Sequence, residues 1–264
     1  VTESPVKNFS IGRPDFPPGC AIIFGGSGGL GSHIAGLLAA RGANVVITYH
    51  QHQQAAEALA ADLHLQGGRA LAVQCDVKNA DSVANAVAIA TNAFGRVHTA
   101  IAAQGSQFEK GPFAEARQDG LRAKLDMDVF GFLNIAQACV PGLREGGGSL
   151  TGIVSPVLLR TLPGYGLGAA PKAAVASMVK YFAADEGPHG VRVNAVAPGV
   201  INAGLAINIA DGPAKAALDA AVQATPLRRM GEAAEVAELV VFLASAKAGY
   251  VTGQVIMVDG GFSL

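Results

Sequence analysis

Short β-branched apolar runs alternate with Ala-rich helical stretches along most of this chain. Cys20 to Phe24 is apolar and ends in glycines, so it reads as a buried strand. Leu30 to Arg41 reads as a helix closed by Gly42, and Asn44 to Thr48 as a second strand. A helix over Gln53 to Gln66 stops at Gly67 and Gly68, and a strand follows from Ala70 to Gln74. Asp81 to Phe94 is helical up to Gly95, and Val97 to Ala102 is a fourth strand. A long helical pattern then runs from Glu115 to Val140 and is expected to stop at Pro141. Ser149 to Val154 is a strand, Ala169 to Glu186 a helix, and Val191 to Val196 and Val255 to Val258 the last two strands.

Strand and helix alternate with no linker and no repeat. That order demands a mostly parallel sheet covered by helices on both faces. Right-handed crossovers then leave a doubly wound, seven-stranded α/β fold of Rossmann type. It is expected as one domain over residues 19–264, after an irregular leader over residues 1–18.

Composition narrows the function classes. Half of the 264 residues are hydrophobic and 15% are charged, which suits a well-buried core. The formal net charge of -1 and the lack of a basic stripe argue against nucleic acid as a partner. No apolar run reaches the length of a membrane span, and the N-terminus lacks the order of a secretory signal, so a cytoplasmic protein is expected. Cys20, Cys75 and Cys139 lack metal-ligand spacing and read as reduced core residues, so no metal is expected.

Gly25-Gly-Ser27-Gly28-Gly29-Leu30-Gly31 follows the first strand and opens the first helix. Such a turn lets backbone approach a pyrophosphate, which gains from the helix N-terminal N–H groups and dipole. Glycines alone can simply make a tight loop; the strand before and the helix after favour dinucleotide binding.

The spacing Gly25-x-x-x-Gly29-x-Gly31 resembles that of the short-chain dehydrogenases/reductases, as do Val193-Asn-Ala-Val-Ala-Pro198-Gly199-Val200-Ile201 and the C-terminal Tyr250-Val-Thr-Gly253 to Gly261. The resemblance covers roughly residues 19 to 264. It implies a nicotinamide oxidoreductase acting on a small molecule. By the same resemblance, backbone at Pro198 to Ile201 would hold the nicotinamide carboxamide. Asp76, before Val77, would accept from the adenine amine, although a helix-capping aspartate reads the same way. Ala102-Ala103-Gln104-Gly105 stands where the family usually has Asn-Asn-Ala-Gly, so only the glycine is retained. The second strand ends in Tyr49-His50-Gln51-His52 with no carboxylate, which favours NADP and leaves NAD open.

In the family a Ser, a Tyr and a Lys carry proton chemistry, and an Asn holds a relay water. Ser155 and Lys172 match the first and third, and Asp128 stands at the Asn position. The Tyr position, thirteen residues after Ser155 and four before Lys172, holds Gly168. Peroxisomal-type 2,4-dienoyl-CoA reductases resemble this chain at both departures, which implies proton supply by Asp128 and Lys172. Tyr165 precedes Lys172 by the Tyr-to-Lys interval of bacterial enoyl-acyl-carrier reductases, or else packs on its glycine-flanked loop.

Three readings stay open. The chain interconverts a small apolar carbonyl and alcohol or reduces an activated alkene. It is an enoyl or dienoyl thioester reductase using Asp128/Lys172 or Tyr165. Or it binds the nucleotide without catalysis. A substrate lid is expected over about residues 202–225, and the family resemblance implies a homo-oligomer, tetramer or dimer.

Overall fold

The computed structural model of the protein describes residues 14–106, 109–204 and 215–264. Residues 1–13 of the leader and 205–214 of the lid segment lie outside the described residues. Seven strands form one sheet: β1 (Cys20–Phe24), β2 (Asn44–Tyr49), β3 (Ala70–Gln74), β4 (Val97–Ala102), β5 (Gly148–Ile153), β6 (Val191–Pro198) and β7 (Val255–Val258). Their order is β3-β2-β1-β4-β5-β6-β7, and every neighbouring pair is parallel. The sequence-based sheet was mostly parallel; the one observed is wholly so. The order reverses direction between β1 and β4, the kind of switch point at whose carboxyl ends open α/β sheets bind their ligands.

The helices are α1 (Gly29–Ala40), α2 (Gln53–Leu65), α3 (Ala80–Phe94), α4 (Gln118–Lys124), α5 (Gly131–Arg144), α6 (Gly166–Glu186), α7 (Lys215–Ala224) and α8 (Ala233–Ala244). Side chains of β1 alternate between two cores, as the pleat requires. Cys20, Ile22 and Phe24 join the core beneath α3, α5 and α6. Ala21 and Ile23 join the core beneath α1 and α8, with Ile34, Leu38 and Val240.

The long helix between β4 and β5 departs from expectation at both ends. Residues 113–115 form a separate 3-10 turn, so the helix starts at Gln118. Pro141 lies inside α5, which continues to Arg144. Proline deprives the carbonyl four residues back of its partner. Gln137, four residues back, lies on the exposed side of α5, and the last turn continues past the proline. Between α4 and α5, Leu125–Phe130 form a π-helical turn. Arg144 at the end of α5 makes a two-pronged ion pair to the buried carboxylate of Glu186, at 2.7 Å on each arm, tying α5 to α6.

His98 on β4 supplies a pH dependence. Its ring is buried and stacked on Phe16 with centroids 5.7 Å apart. Its Nδ1 lies 3.0 Å from Thr99 Oγ1, and Nε2 has no partner among the described residues. Burial, and then the Arg96 charge, push its pKa down to about 4. The unfolded chain therefore binds the extra proton between that value and about 6.5. Stability is full above the upper value and is lost as pH falls through the window, by about 3 kcal/mol. Urea midpoints measured from pH 7.5 down to 4.5 are expected to fall less in His98→Phe, which keeps the stack on Phe16. Equal slopes in the two proteins would discount His98.

Candidate active site

The candidate catalytic and cofactor residues among the described residues sit at or beyond a strand's carboxyl end, or on the helical segments that flank that edge. Gly25, Ser27 and Gly28 form the turn after β1, and Gly28 is the N-cap of α1. A Cβ on Gly31 would collide with the carbonyl oxygen of Gly25, so only glycine lets α1 pack on the turn. No side chain caps α1, and its first turn carries no acid. With Gly29, Leu30 and Gly31 as its first three residues, α1 thus offers uncapped N–H groups and no opposing charge to a diphosphate. Gln104, whose backbone lies against Gly25, buries its Oε1 with no partner among the described residues. A donor is wanted there, which a ribose hydroxyl or an amide satisfies. The residues present fit a dinucleotide.

Around this turn, Tyr49 ends β2 and His50 follows it. His50 Nε2 and Lys78 Nζ approach Asp76 Oδ2 at 3.7 and 3.8 Å. Asp76 is not the cap of α3; Asn79 is, accepting from the Ser82 amide. Val77 packs against Gly131, and its carbonyl accepts from Asn134. Ala102 ends β4, with Gly105 three residues on. Pro198 ends β6, and Gly199 approaches Asp259 closely enough to exclude a side chain. The backbone of Val200 and Ile201 is tied to Gly231.

The chemical end is built on α6, the π-turn and the end of β4. Lys172 Nζ donates to the Ile153 carbonyl at 3.0 Å and lies 3.2 Å from Asp128 Oδ1. The side chain of Asp128 is 0% exposed and that of Lys172 16%. Ser106 Oγ donates to Asp128 Oδ2 at 3.0 Å. Low local polarity strengthens these charge-assisted contacts and makes an unpaired charge here costly.

Ser155 lies two residues past Ile153, half-buried, and its side chain does not cap the 3-10 turn that follows. Tyr165 is the N-cap residue of α6, two turns before Lys172 on the same helix face. Burial raises the pKa of its phenol, and Lys110 Nζ stands 5.8 Å from its ring centre. Gly168, one turn before Lys172, is exposed, and a Cβ there would meet nothing within 4 Å. The position is an open space on the face that carries Lys172.

Two residues lay outside the sequence reading. Ser106 follows Gly105 and looks like an ordinary turn serine. Lys124 looks like a solvated helix lysine, yet it is buried and lies 3.9 Å from Glu109. Among the described residues, no His, Cys, Asp and Glu cluster suited to a metal is found, and no helix is long and apolar enough to cross a membrane.

Comparison with known proteins places this geometry. Residues 25–263 match the family model described as Enoyl-(Acyl carrier protein) reductase. The chain is 31% identical to 1-cyclohexenylcarbonyl-CoA reductase of Streptomyces collinus, over 92% of this chain and 86% of that one. It is 33% identical to a 3-oxoacyl-[acyl-carrier-protein] reductase of Synechocystis, over 91% and 95% of the two. The solved short-chain dehydrogenase/reductase of Serratia marcescens superposes with a TM-score of 0.88 at 31% identity, covering 96% of this chain and all (100%) of that one. A match of this extent means that the chain belongs to the short-chain dehydrogenase/reductase family of nicotinamide-dependent oxidoreductases.

Proposed function

We propose that this enzyme reduces the activated carbon–carbon double bond of an enoyl- or dienoyl-type thioester with NADPH, and that Asp128 and Lys172 supply the proton. The observation that carries the reading is the Lys172–Asp128 pair at 3.2 Å beside the open space at Gly168. When bound, the nicotinamide supplies the hydride. The chain must supply a proton for carbon and a place for transient negative charge. Asp128 faces Lys172 Nζ at 3.2 Å, and the Ile153 carbonyl aims it. Reduction of a carbonyl instead needs an acid held at the carbonyl oxygen, and the phenol that the family uses for this is missing at 168. The 1-cyclohexenylcarbonyl-CoA reductase among the relatives supports an alkene substrate.

Residues that would hold the cofactor are Gly25 to Gly31 for the diphosphate, Asp76 and Val77 for the adenine, and Gly199 to Ile201 for the carboxamide. NADPH over NADH is supported by the missing carboxylate at the end of β2 and by His50 and Lys78 close by. Ser155, with its hydroxyl engaged in no cap, supports the carbonyl reading as the second one.

The test is oxidation of NADPH and of NADH against crotonyl-CoA, 2,4-hexadienoyl-CoA, cyclohex-2-enone, a diketone and a β-ketoester. Turnover of the unsaturated thioesters, faster with NADPH, is the expected result. Turnover confined to the diketone or ketoester would replace the alkene reading with the carbonyl one. Tight NADPH binding with no turnover would leave a nucleotide-binding protein.

A further inference from the structure

We infer that Ser106 is the hydroxyl through which the buried Asp128 exchanges its proton with the cleft. This rests on the reading that Asp128 and Lys172 carry the proton. Asp128 has no exposed side-chain surface, so nothing in the cleft touches its carboxylate directly. One oxygen, Oδ1, faces Lys172 at 3.2 Å, and among the described residues no hydrogen bond is aligned on it. The other, Oδ2, accepts from Ser106 at 3.0 Å. Ser106 is half-buried and lies just past the carboxyl end of β4, the central strand at the switch point. Besides Lys172, it is the partly exposed side chain among the described residues that is within hydrogen-bond distance of the Asp128 carboxylate.

A hydroxyl donates and accepts at once, which an ammonium cannot do. The relay balances as follows in the direction of reduction. A proton on Asp128 Oδ2 passes to Ser106 Oγ while the proton already on Oγ leaves for the acceptor in the cleft. One Oδ2–H bond breaks, one Oγ–H bond forms, the older Oγ–H bond breaks, and Ser106 ends neutral. The Lys172 ammonium then gives a proton to Oδ1, the oxygen it faces, rotation of the carboxyl group brings that proton to the Ser106 side, and Lys172 takes a replacement proton from solvent at its exposed edge. Oxidation runs the same steps backwards, and the observed Ser106-to-Asp128 hydrogen bond is the arrangement from which that direction starts.

Ser106→Ala, Ser106→Thr and Asp128→Asn are compared with the wild type in single-turnover reduction of 2,4-hexadienoyl-CoA by NADPH. Ser106→Ala is expected to slow the step about tenfold to a hundredfold with KM within about twofold, and Ser106→Thr to restore most of the rate. A proton inventory in mixed light and heavy water is expected to be bowed in the wild type, with two protons in motion, and linear in Ser106→Ala. If both proteins give the same curve, or if Ser106→Ala keeps the full rate while Asp128→Asn loses it, the relay is wrong and the Asp128 reading stands. If Asp128→Asn itself keeps the full rate, the underlying reading has failed and the relay with it. A readout without cofactor or substrate is the infrared difference between wild type and Ser106→Ala. A shifted carboxylate band, absent when the same change is made in Asp128→Asn, is expected; no shift would overturn the hydrogen bond on which the relay depends.

Discussion

Lys172→Met is expected to lose about 3–5 kcal/mol of stability as well as most of its activity. The stability loss comes from Asp128. Its carboxylate is fully buried, and Lys172 is the cation within ion-pair distance of it among the described residues. Removing one partner of a buried pair leaves the other charge in a medium that does not solvate it, whereas removing both leaves little behind. Asp128→Asn in the Lys172→Met background is therefore expected to recover most of the stability. It is not expected to recover turnover, because the proton source is gone; a drop of about 10²–10⁴-fold is in the range for a lost acid. Denaturant unfolding of the two single variants and the double, read as a cycle, checks the first part. Single-turnover rates check the second. A stability change below about 1 kcal/mol in Lys172→Met would mean that the pair is solvated and that Asp128 needs no cation.

Gly168→Tyr is expected to raise ketone reduction. The position lies in the first turn of α6, a Cβ there meets nothing within 4 Å, and the residue is exposed. Replacing a helical glycine removes backbone freedom from the unfolded chain, so stability is expected to rise by about 0.5–1 kcal/mol or hold level. One turn from Lys172, a phenol there comes under an ammonium that lowers its pKa, and so becomes an acid for a carbonyl oxygen. A β-ketoester rate about 10²-fold or more above the parent is expected. The same ring fills the open space, so unsaturated thioesters are expected to lose kcat/KM. The measurement is the ratio of β-ketoester to dienoyl-CoA turnover with NADPH in both proteins. A folded, NADPH-binding variant with an unchanged ratio would show that position 168 does not face the reacting atoms.

How much of this was legible beforehand differs element by element. The seven strands were readable because each is a short apolar run bounded by glycine or polar turns, and a parallel sheet buries both faces of such runs. The glycine turn was readable because backbone chemistry forces the residue type. The helix α8 was not, since Ala233 to Ala244 is apolar almost all round and shows no face. Its start was marked instead by the capping box of Glu232 and Glu235. Pro141 misled because a proline in a helix is tolerated or not according to its tertiary surroundings, which the sequence does not show. Asp128 and Lys172 were reached through resemblance; as pattern alone, a polar residue in a helix says nothing of burial. Ser106 and Lys124 escaped for the same reason, being residue types whose usual place is a turn or a solvated face.

The π-turn at Leu125–Phe130 gives chain length a hold on the chemistry. A π-turn carries one residue more than the helix around it needs, and each residue turns a helix by about 100°. Loss of a single residue between Asp128 and Gly131, leaving every other side chain in place, would swing Asp128 away from α6 while α5 kept its seat on the sheet. Relatives with identical catalytic residues can therefore differ in reaction through an insertion or deletion here, and the gain or loss of one codon is as direct a route to new chemistry in this scaffold as a change of residue at position 168.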